Sequence, residues 1–330
     1  MADSLPVITV LCPDDDGPYA VPPGLDELED RAEIRRTTAA ELSEALSGAD
    51  VLFLWDFFSR AVSDAWHAAD ALDWIHVAAA GVDKLLFDEL AESEVTVTNA
   101  QGTFDRPIAE YVLGAVLARA KDMPGSLRRQ QTRTWEHRET QRVQGLTALV
   151  IGTGAIGREI ATLLRAVDVE VFAAGRTARD QDPDFGTVIA SDHLPAHIGA
   201  ADVVVNAAPL TPQTTGLLDA QALAAVKDGA HLINIGRGET VDEVALVEAL
   251  DHGPLGFATL DVFEQEPLPQ GSPLWEREDV LITAHMSGDV IGWRDALAEQ
   301  FLDNARRWLA GETLHNIVDK QKGYVPRPQP

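Results

Sequence analysis

Apolar and polar positions fall into two successive series of short strand-like runs separated by helix-like segments. The first series holds PVITVL (6–11), AEIRRT (32–37), DVLFLW (50–55), DWIHVAAAG (73–81) and VTVTNA (95–100). TAAELSEALSGA and SDAWHAADA lie between these runs with helical spacing. The second series opens at LTALVIG and continues through VEVFAAG (169–175), TVIA (187–190), DVVVNAAP (202–209), HLINIG (231–236), FATLDV (257–262) and VLITAH (280–285). Strands that alternate with helices predict an α/β chain with parallel sheets. No short-period repeat or low-complexity linker separates the two series.

Two longer amphipathic segments stand outside this alternation. DRPIAEYVLGAVLARAK (105–121) is too apolar for a solvated helix and is expected to pack between domains or between subunits. WRDALAEQFLDNARRWLAG (293–311) follows the last strand and ends on Gly311 as a stop signal. That helix is expected to return to the first domain and complete it. The final GYVPRPQP is expected to be a loose tail.

Composition narrows the class. A chain of 330 residues with 45% apolar content has room for two cores. The longest apolar stretches, such as DVLFLWDFF, are short and carry acids, so no membrane span is expected. MADSLPVITV lacks the features of a secretory signal, and Cys12 is the one cysteine, which leaves no disulfide frame. A cytoplasmic enzyme fits these features. The net charge of −27 disfavours nucleic acid and anionic membrane as partners. High-salt adaptation and an ordinary acidic cytosolic protein both account for that charge.

The most informative stretch is ALVIGTGAIGREIATLLR (148–165), in which Gly152, Gly154 and Gly157 stand in the G-x-G-x-x-G spacing between strand and helix. In a dinucleotide-binding unit the first glycine permits the tight turn and the second lets a pyrophosphate approach. The third lets helix and strand pack closely, while the helix N-terminus offers N–H groups and a positive dipole end. An acid at the end of the following strand would bond the ribose 2′-hydroxyl of NAD. Gly175 occupies that position, followed by Arg176 and Thr177, with Arg179 a little further on. A small neutral residue removes repulsion, Arg176 can pair a 2′-phosphate through its planar fork, and Thr177 adds a donor. NADP(H) is therefore the expected cofactor, with NAD(H) the alternative.

Ligands of open α/β sheets bind beyond the C-terminal strand ends. HLINIGRGE ends in Arg237, FATLDVFEQEP delivers Asp261 and Glu266, and VLITAH ends in His285. Reduction of a 2-oxo acid moves a hydride from nicotinamide C4 to the carbonyl carbon while charge builds on the oxygen. A protonated histidine can donate to that oxygen, and a carboxylate beside it fixes the ring and favours its charged form. Arginine can bind the substrate carboxylate and polarise the carbonyl. His285 is thus read as acid/base, Glu266 as its orienting partner and Arg237 as substrate anchor. Each residue alone has an ordinary structural explanation; the assignment rests on the combination. His193 and His197 stand four apart without H-E-x-x-H around them, so no metal is expected. There is no nucleophile elbow and no Walker-type phosphate loop.

With those residues in view, the chain resembles the D-isomer-specific 2-hydroxyacid dehydrogenase family over nearly its whole length. AAAGVDKL, VTVTNAQG, AEYVLGAVLA, VIGTGAIGREIA, NAAPLTPQTTGLLD, LINIGRGETVDEVALVEAL, LDVFEQEPLP and ITAHMSG stand in the family's order. The resemblance implies a Rossmann NAD(P)-binding domain over 101–286 inserted in a flavodoxin-like substrate domain made of 1–100 plus 287–330, and a homodimer. It implies that backbone amides of Ala80 and Gly81 help hold the substrate carboxylate, beside Arg237 and His285. Ala155 and Ile156 would lie at the pyrophosphate, Ala208 and Pro209 on the adenosine side, and Ile235 and Gly236 near the nicotinamide, whose amide Asp261 would bond. Two features depart from the common pattern: the Gly175–Arg176 pair in place of an acid, and MSGDVIGW after the histidine, where Met286 and Trp293 are candidates to shape the substrate pocket. Glu266 is not the glutamine typical of formate dehydrogenases, which argues against that member.

The resemblance favours a reductase of small 2-oxo acids, of the glyoxylate/hydroxypyruvate or general 2-ketoacid type. Two alternatives stand beside it. One is a nucleotide-sensing, corepressor-like binding protein, and the other is a dehydrogenase of a phosphorylated hydroxy acid.

Overall fold

The computed structural model describes residues 5–15 and 17–326, and the chain divides into two compact units. One unit runs up to Phe104 and resumes at Val290; the other is Asp105–Asp289. These crossings lie a few residues beyond the 100/101 and 286/287 boundaries read from the sequence.

The first unit is built on β1 (Val7–Leu11), β2 (Glu33–Thr37), β3 (Val51–Leu54), β4 (Trp74–Val77) and β5 (Thr96–Asn99). All pairs are parallel, in the order β2-β1-β3-β4-β5, which is the flavodoxin-like arrangement. Every residue of β1, β3 and β4 is buried, as expected of a parallel sheet covered on both faces. The helix Trp293–Ala310 belongs to this unit and ends on Gly311 at φ 70°. Its Phe301 ring stacks at 3.9 Å on Phe53 of β3 and at 5.5 Å on Trp74 of β4. The C-terminal segment is less loose than its composition suggests. Tyr324 O accepts the Asp319 N–H at 3.0 Å and Val325 packs against the core. Residues 327–330 of the expected tail, and residues 1–4 of the chain's start, lie outside the described residues.

The second unit carries β6 (Thr147–Ile151), β7 (Glu170–Gly175), β8 (Arg179–Asp182), β9 (Gly186–Ala190), β10 (Val203–Asn206), β11 (Ala230–Asn234), β12 (Leu255–Leu260) and β13 (Val280–Ile282). Their order is β13-β12-β11-β10-β6-β7-β9-β8. From β9 through β12 this is the 3-2-1-4-5-6 order of a dinucleotide-binding fold, with the reversal between β6 and β10. One strand corrects the all-parallel expectation: β8 pairs antiparallel with β9 at the edge. Its sequence, RDQD, has no apolar alternation; the ion pair from Arg158 to Asp182 ties it to the helix Ala155–Arg165 instead.

The helix Asp105–Ala120 owes its apolar character to neighbours inside this unit. It packs on the helix Ala155–Arg165 and on β11, burying Ile108, Val112 and Val116. That packing covers one face of the helix, which the sequence reading expected to lie between domains or between subunits, while Leu117 on the same helix stays exposed. A second helix, Met123–Gln131, follows it and was not legible beforehand. Among the described residues no helix is long and apolar enough to cross a membrane. Nor does any group of three or more His, Cys, Asp or Glu residues lie placed to hold a metal ion.

Candidate active site

The reversal between β6 and β10 lies at the glycine turn. Gly152 has φ 108°, a conformation that L side chains rarely adopt, and a Cβ there would stand 2.6 Å from Ala207 O. A Cβ on Gly157 would stand 2.0 Å from Gly152 O, so the first helical turn can approach the strand only with glycine at 157. Gly154 differs: it is the N-cap of the helix Ala155–Arg165, and a Cβ on it would meet nothing within 4 Å. Two of the glycines are therefore demanded by the fold, while the third keeps open the space above a helix N-terminus. Behind it, the N–H groups of the first helical turn, including those of Ala155 and Ile156, have no intrahelical acceptor. The turn fits a dinucleotide pyrophosphate.

At the end of β7, a Cβ on Gly175 would lie 3.1 Å from Thr153 Cγ2 and 3.2 Å from its Oγ1. A side chain at 175 would need Thr153 to give by a few tenths of an ångström. Arg176 and Thr177 follow on the exposed surface. Arg179 is committed to the fold: its Nε donates to Asp182 Oδ2 at 2.7 Å, and Arg158 reaches the same carboxylate at 3.2 Å. Burial opposes the Asp182 charge, but the bonds from Arg179, the Asp184 amide and Arg158 outweigh it and hold that carboxyl well below its usual range.

The loops after β10 and β11 are knitted together by buried amides. Asn206 Nδ2 donates to Asn234 Oδ1 at 2.9 Å and to Thr240 Oγ1 at 2.6 Å. Asn206 Oδ1 accepts the Ala208 N–H and Asn234 Oδ1 accepts the Gly236 N–H, each at 3.3 Å. A Cβ on Gly236 would lie 2.6 Å from Ala208 O, so the two loops touch through backbone. Ala208 and Ile235 are buried there while Pro209 is exposed. The Arg237 carbonyl accepts from Asn234 Nδ2 at 3.2 Å and from Thr240 Oγ1 at 2.5 Å. Asn206, Asn234 and Thr240 thus fix the backbone that presents Arg237. The sequence reading passed over them because a single Asn at a strand end gives no sign of its partner.

His285 leaves β13 and Glu266 leaves β12, and the structure brings them together. The ring Nδ1 donates to Glu266 Oε2 at 2.7 Å, while Glu266 Oε1 accepts the Phe263 N–H at 3.1 Å. The carboxylate therefore fixes the proton on Nδ1. His285 sits at φ 50°, a left-handed conformation uncommon outside glycine. Its N–H donates to Asp261 O at 2.8 Å. The Asp261 N–H in turn donates to Asn234 O at 3.0 Å, so the ends of β11, β12 and β13 leave the sheet side by side. Asp261 is fully buried, and its carboxylate accepts from Met286 N and Ser287 N at 2.9 Å each and from Thr283 Oγ1 at 2.5 Å. Those contacts tie it to the His285 turn, a task that the sequence reading had not given it.

In the first unit, the loop after β4 that contains Ala80 and Gly81 is fixed by Asn99, whose Nδ2 donates to Ala80 O at 2.6 Å. Trp293 packs edge-on to Phe57 at 6.1 Å, and Arg294 stacks over it at 4.6 Å. Met286, in the second unit, is half exposed.

Comparison with known proteins decides what the constellation belongs to. Residues 113–287 match the family model described as D-isomer specific 2-hydroxyacid dehydrogenase, NAD binding domain. A glyoxylate/hydroxypyruvate reductase A from Serratia proteamaculans is 31% identical over 251 residues, covering 74% of this chain and 79% of that protein. The chain belongs to this family. Its members are NAD(P)-dependent oxidoreductases of 2-hydroxy and 2-oxo acids. Among solved structures, a D-isomer specific 2-hydroxyacid dehydrogenase from Xanthobacter autotrophicus in complex with NADPH and MES superposes with a TM-score of 0.79. It has 30% identity and covers 97% of this chain and 100% of that one. An NADPH-dependent glyoxylate/hydroxypyruvate reductase from Sinorhizobium meliloti, in complex with NADP and sulfate, gives 0.79 at 25% identity, covering 97% and 100%. Both the family and the two-sheet, Rossmann-type architecture thus agree with the sequence reading.

Proposed function

We propose that this chain is an NADPH-dependent reductase of a small 2-oxo acid, of the glyoxylate/hydroxypyruvate or general 2-ketoacid type, that forms the D-2-hydroxy acid. The bond between His285 Nδ1 and Glu266 Oε2, 2.7 Å long, carries the reading. It is the arrangement needed for an imidazolium that gives its Nε2 proton to a nascent alkoxide and takes it back in the reverse reaction.

When bound, the reduced nicotinamide supplies the hydride. The chain's residues do the rest. Gly152, Gly154, Gly157, Ala155 and Ile156 form the cradle for the pyrophosphate, with Ala208, Pro209, Ile235 and Gly236 along the dinucleotide. Asp261 would bond the nicotinamide amide in addition to holding the His285 turn. Arg176 and Thr177 receive the 2′-phosphate; the glycine at 175 and the NADPH and NADP complexes of the structural relatives support NADPH over NADH. Arg237 binds the substrate carboxylate with the backbone of Ala80 and Gly81 and polarises the carbonyl, so that charge developing on oxygen meets a fixed cation.

We read the enzyme as a cytoplasmic homodimer. Met123 and Leu127, four residues apart on one helix, and Trp135 beyond it are exposed apolar side chains that a second copy could cover. The test is a panel of 2-oxo acids assayed with NADPH and with NADH. NADPH oxidation dependent on glyoxylate, hydroxypyruvate or pyruvate supports the reading, and NADPH binding without turnover of any panel member refutes it.

A further inference from the structure

Behind the His285 turn a line of hydroxyls runs into the helix Asp105–Ala120, and the reaction as proposed makes no use of it. Thr283 Oγ1 donates to Asp261 Oδ1 at 2.5 Å. A hydroxyl has one proton to give, so in the 2.7 Å contact between Tyr111 Oη and Thr283 Oγ1 the tyrosine is the donor. Burial first, and then the Asp261 charge, push the Tyr111 hydroxyl up to about 12, so it keeps the proton that it donates. The far end of the line is the turn itself: Asp261 accepts Met286 N and Ser287 N, and its carbonyl accepts His285 N. His285 holds a left-handed backbone without being glycine, so the turn must be over-determined by its surroundings to persist.

We infer that Tyr111 and Thr283 are positioning residues for the acid/base step: their hydroxyl line locks the Asp261 carboxylate, and through it the turn that sets the His285 ring against Glu266. The inference deepens the proposed reaction and rests on it for the word "acid/base"; the mechanical part stands on the geometry alone. It also explains why a helix outside the strand-end loops matters to the site. Tyr111 and Thr283 are 172 positions apart and meet only because this helix packs inside the cofactor unit.

The test compares Thr283→Val, Thr283→Ser and Tyr111→Phe in the full chain. Amide hydrogen exchange at Met286 and Ser287, read by NMR without cofactor, should speed up about tenfold in Thr283→Val, less in Tyr111→Phe, and stay near wild type in Thr283→Ser. With NADPH and the best 2-oxo acid, Thr283→Val should lose about tenfold in kcat while KM stays within about twofold, and the serine variant should recover it. Unchanged exchange and kcat in Thr283→Val overturn the inference. So does a serine variant as damaged as the valine one, since packing and not the hydroxyl would then matter. Faster exchange in a protein whose wild type reduces no 2-oxo acid would uphold the lock and remove only the reaction assigned to it.

Discussion

Gly238 lies directly on the backbone of Phe263: a Cβ at 238 would sit 1.8 Å from the Phe263 carbonyl carbon and 1.9 Å from its oxygen. The residue before Gly238 is the proposed substrate anchor, Arg237, and the Phe263 N–H is held by Glu266. One glycine therefore seats the arginine loop against the loop that orients the histidine. Gly238→Ala must push these loops apart, since both contacting atoms are backbone. We expect about a hundredfold loss of kcat/KM with NADPH affinity largely kept, checked by steady-state kinetics beside fluorescence titration. Wild-type kinetics would show that the two loops need not touch.

The three glycines of the cofactor turn should separate by experiment. Gly154→Ala meets nothing, so its melting temperature should stay within about 2 °C of wild type while NADPH binding weakens about tenfold. Gly157→Ala meets Gly152 O and should lose stability and binding together. Calorimetry beside cofactor titration checks both; a Gly154→Ala protein that binds NADPH normally would argue against a diphosphate in that space.

Cofactor choice is assigned to Arg176, the residue that follows Gly175 at the end of β7. Arg176→Ala should weaken NADPH about tenfold or more, the scale of a charge-assisted hydrogen bond, and leave NADH within about twofold. Equal losses for the two cofactors would discredit the 2′-phosphate contact.

Two buried histidines make stability depend on pH. Burial pushes His76 down to about 3, and burial with the nearby Arg119 charge does the same to His231. Both are neutral in the folded chain and take up a proton on unfolding below about 6.5. Their contribution is intact above pH 6.5 and is lost as pH falls from there toward 3, at about 2 kcal/mol each by pH 5. Urea denaturation at pH 7.5 and pH 5 reads this slope. His76→Gln and His231→Gln should each remove about one proton's worth of it, and an unchanged slope would contradict the assignment.

Much of this arrangement was legible in the chain because it rests on local pattern. The parallel strands announce themselves by apolar runs, and the fold's G-x-G-x-x-G turn by three glycines in fixed spacing. Arg237, Glu266 and His285 each follow a recognisable strand. What escaped the reading depends on partners distant in sequence. The edge strand β8 has no apolar signature and is held by Arg158, which reaches its Asp182 from the helix Ala155–Arg165. Asn206 and Asn234 look like ordinary strand-end amides until the fold sets them 2.9 Å apart. Asp261 carries a family motif, yet its bonds to Thr283, Met286 and Ser287 follow from the turn's backbone, which composition does not encode. The apolar helix Asp105–Ala120 was read correctly as buried; its neighbours inside the unit could not be read from periodicity, which reports a face and not what covers it.

The most direct test of the account is NADPH oxidation with a 2-oxo acid by the wild-type chain and by His285→Ala, each with its NADPH dissociation constant measured in parallel. We predict turnover by the wild type, a fall of at least about a thousandfold in His285→Ala, and dissociation constants within about threefold of each other. Equal turnover with and without the imidazole would contradict the account.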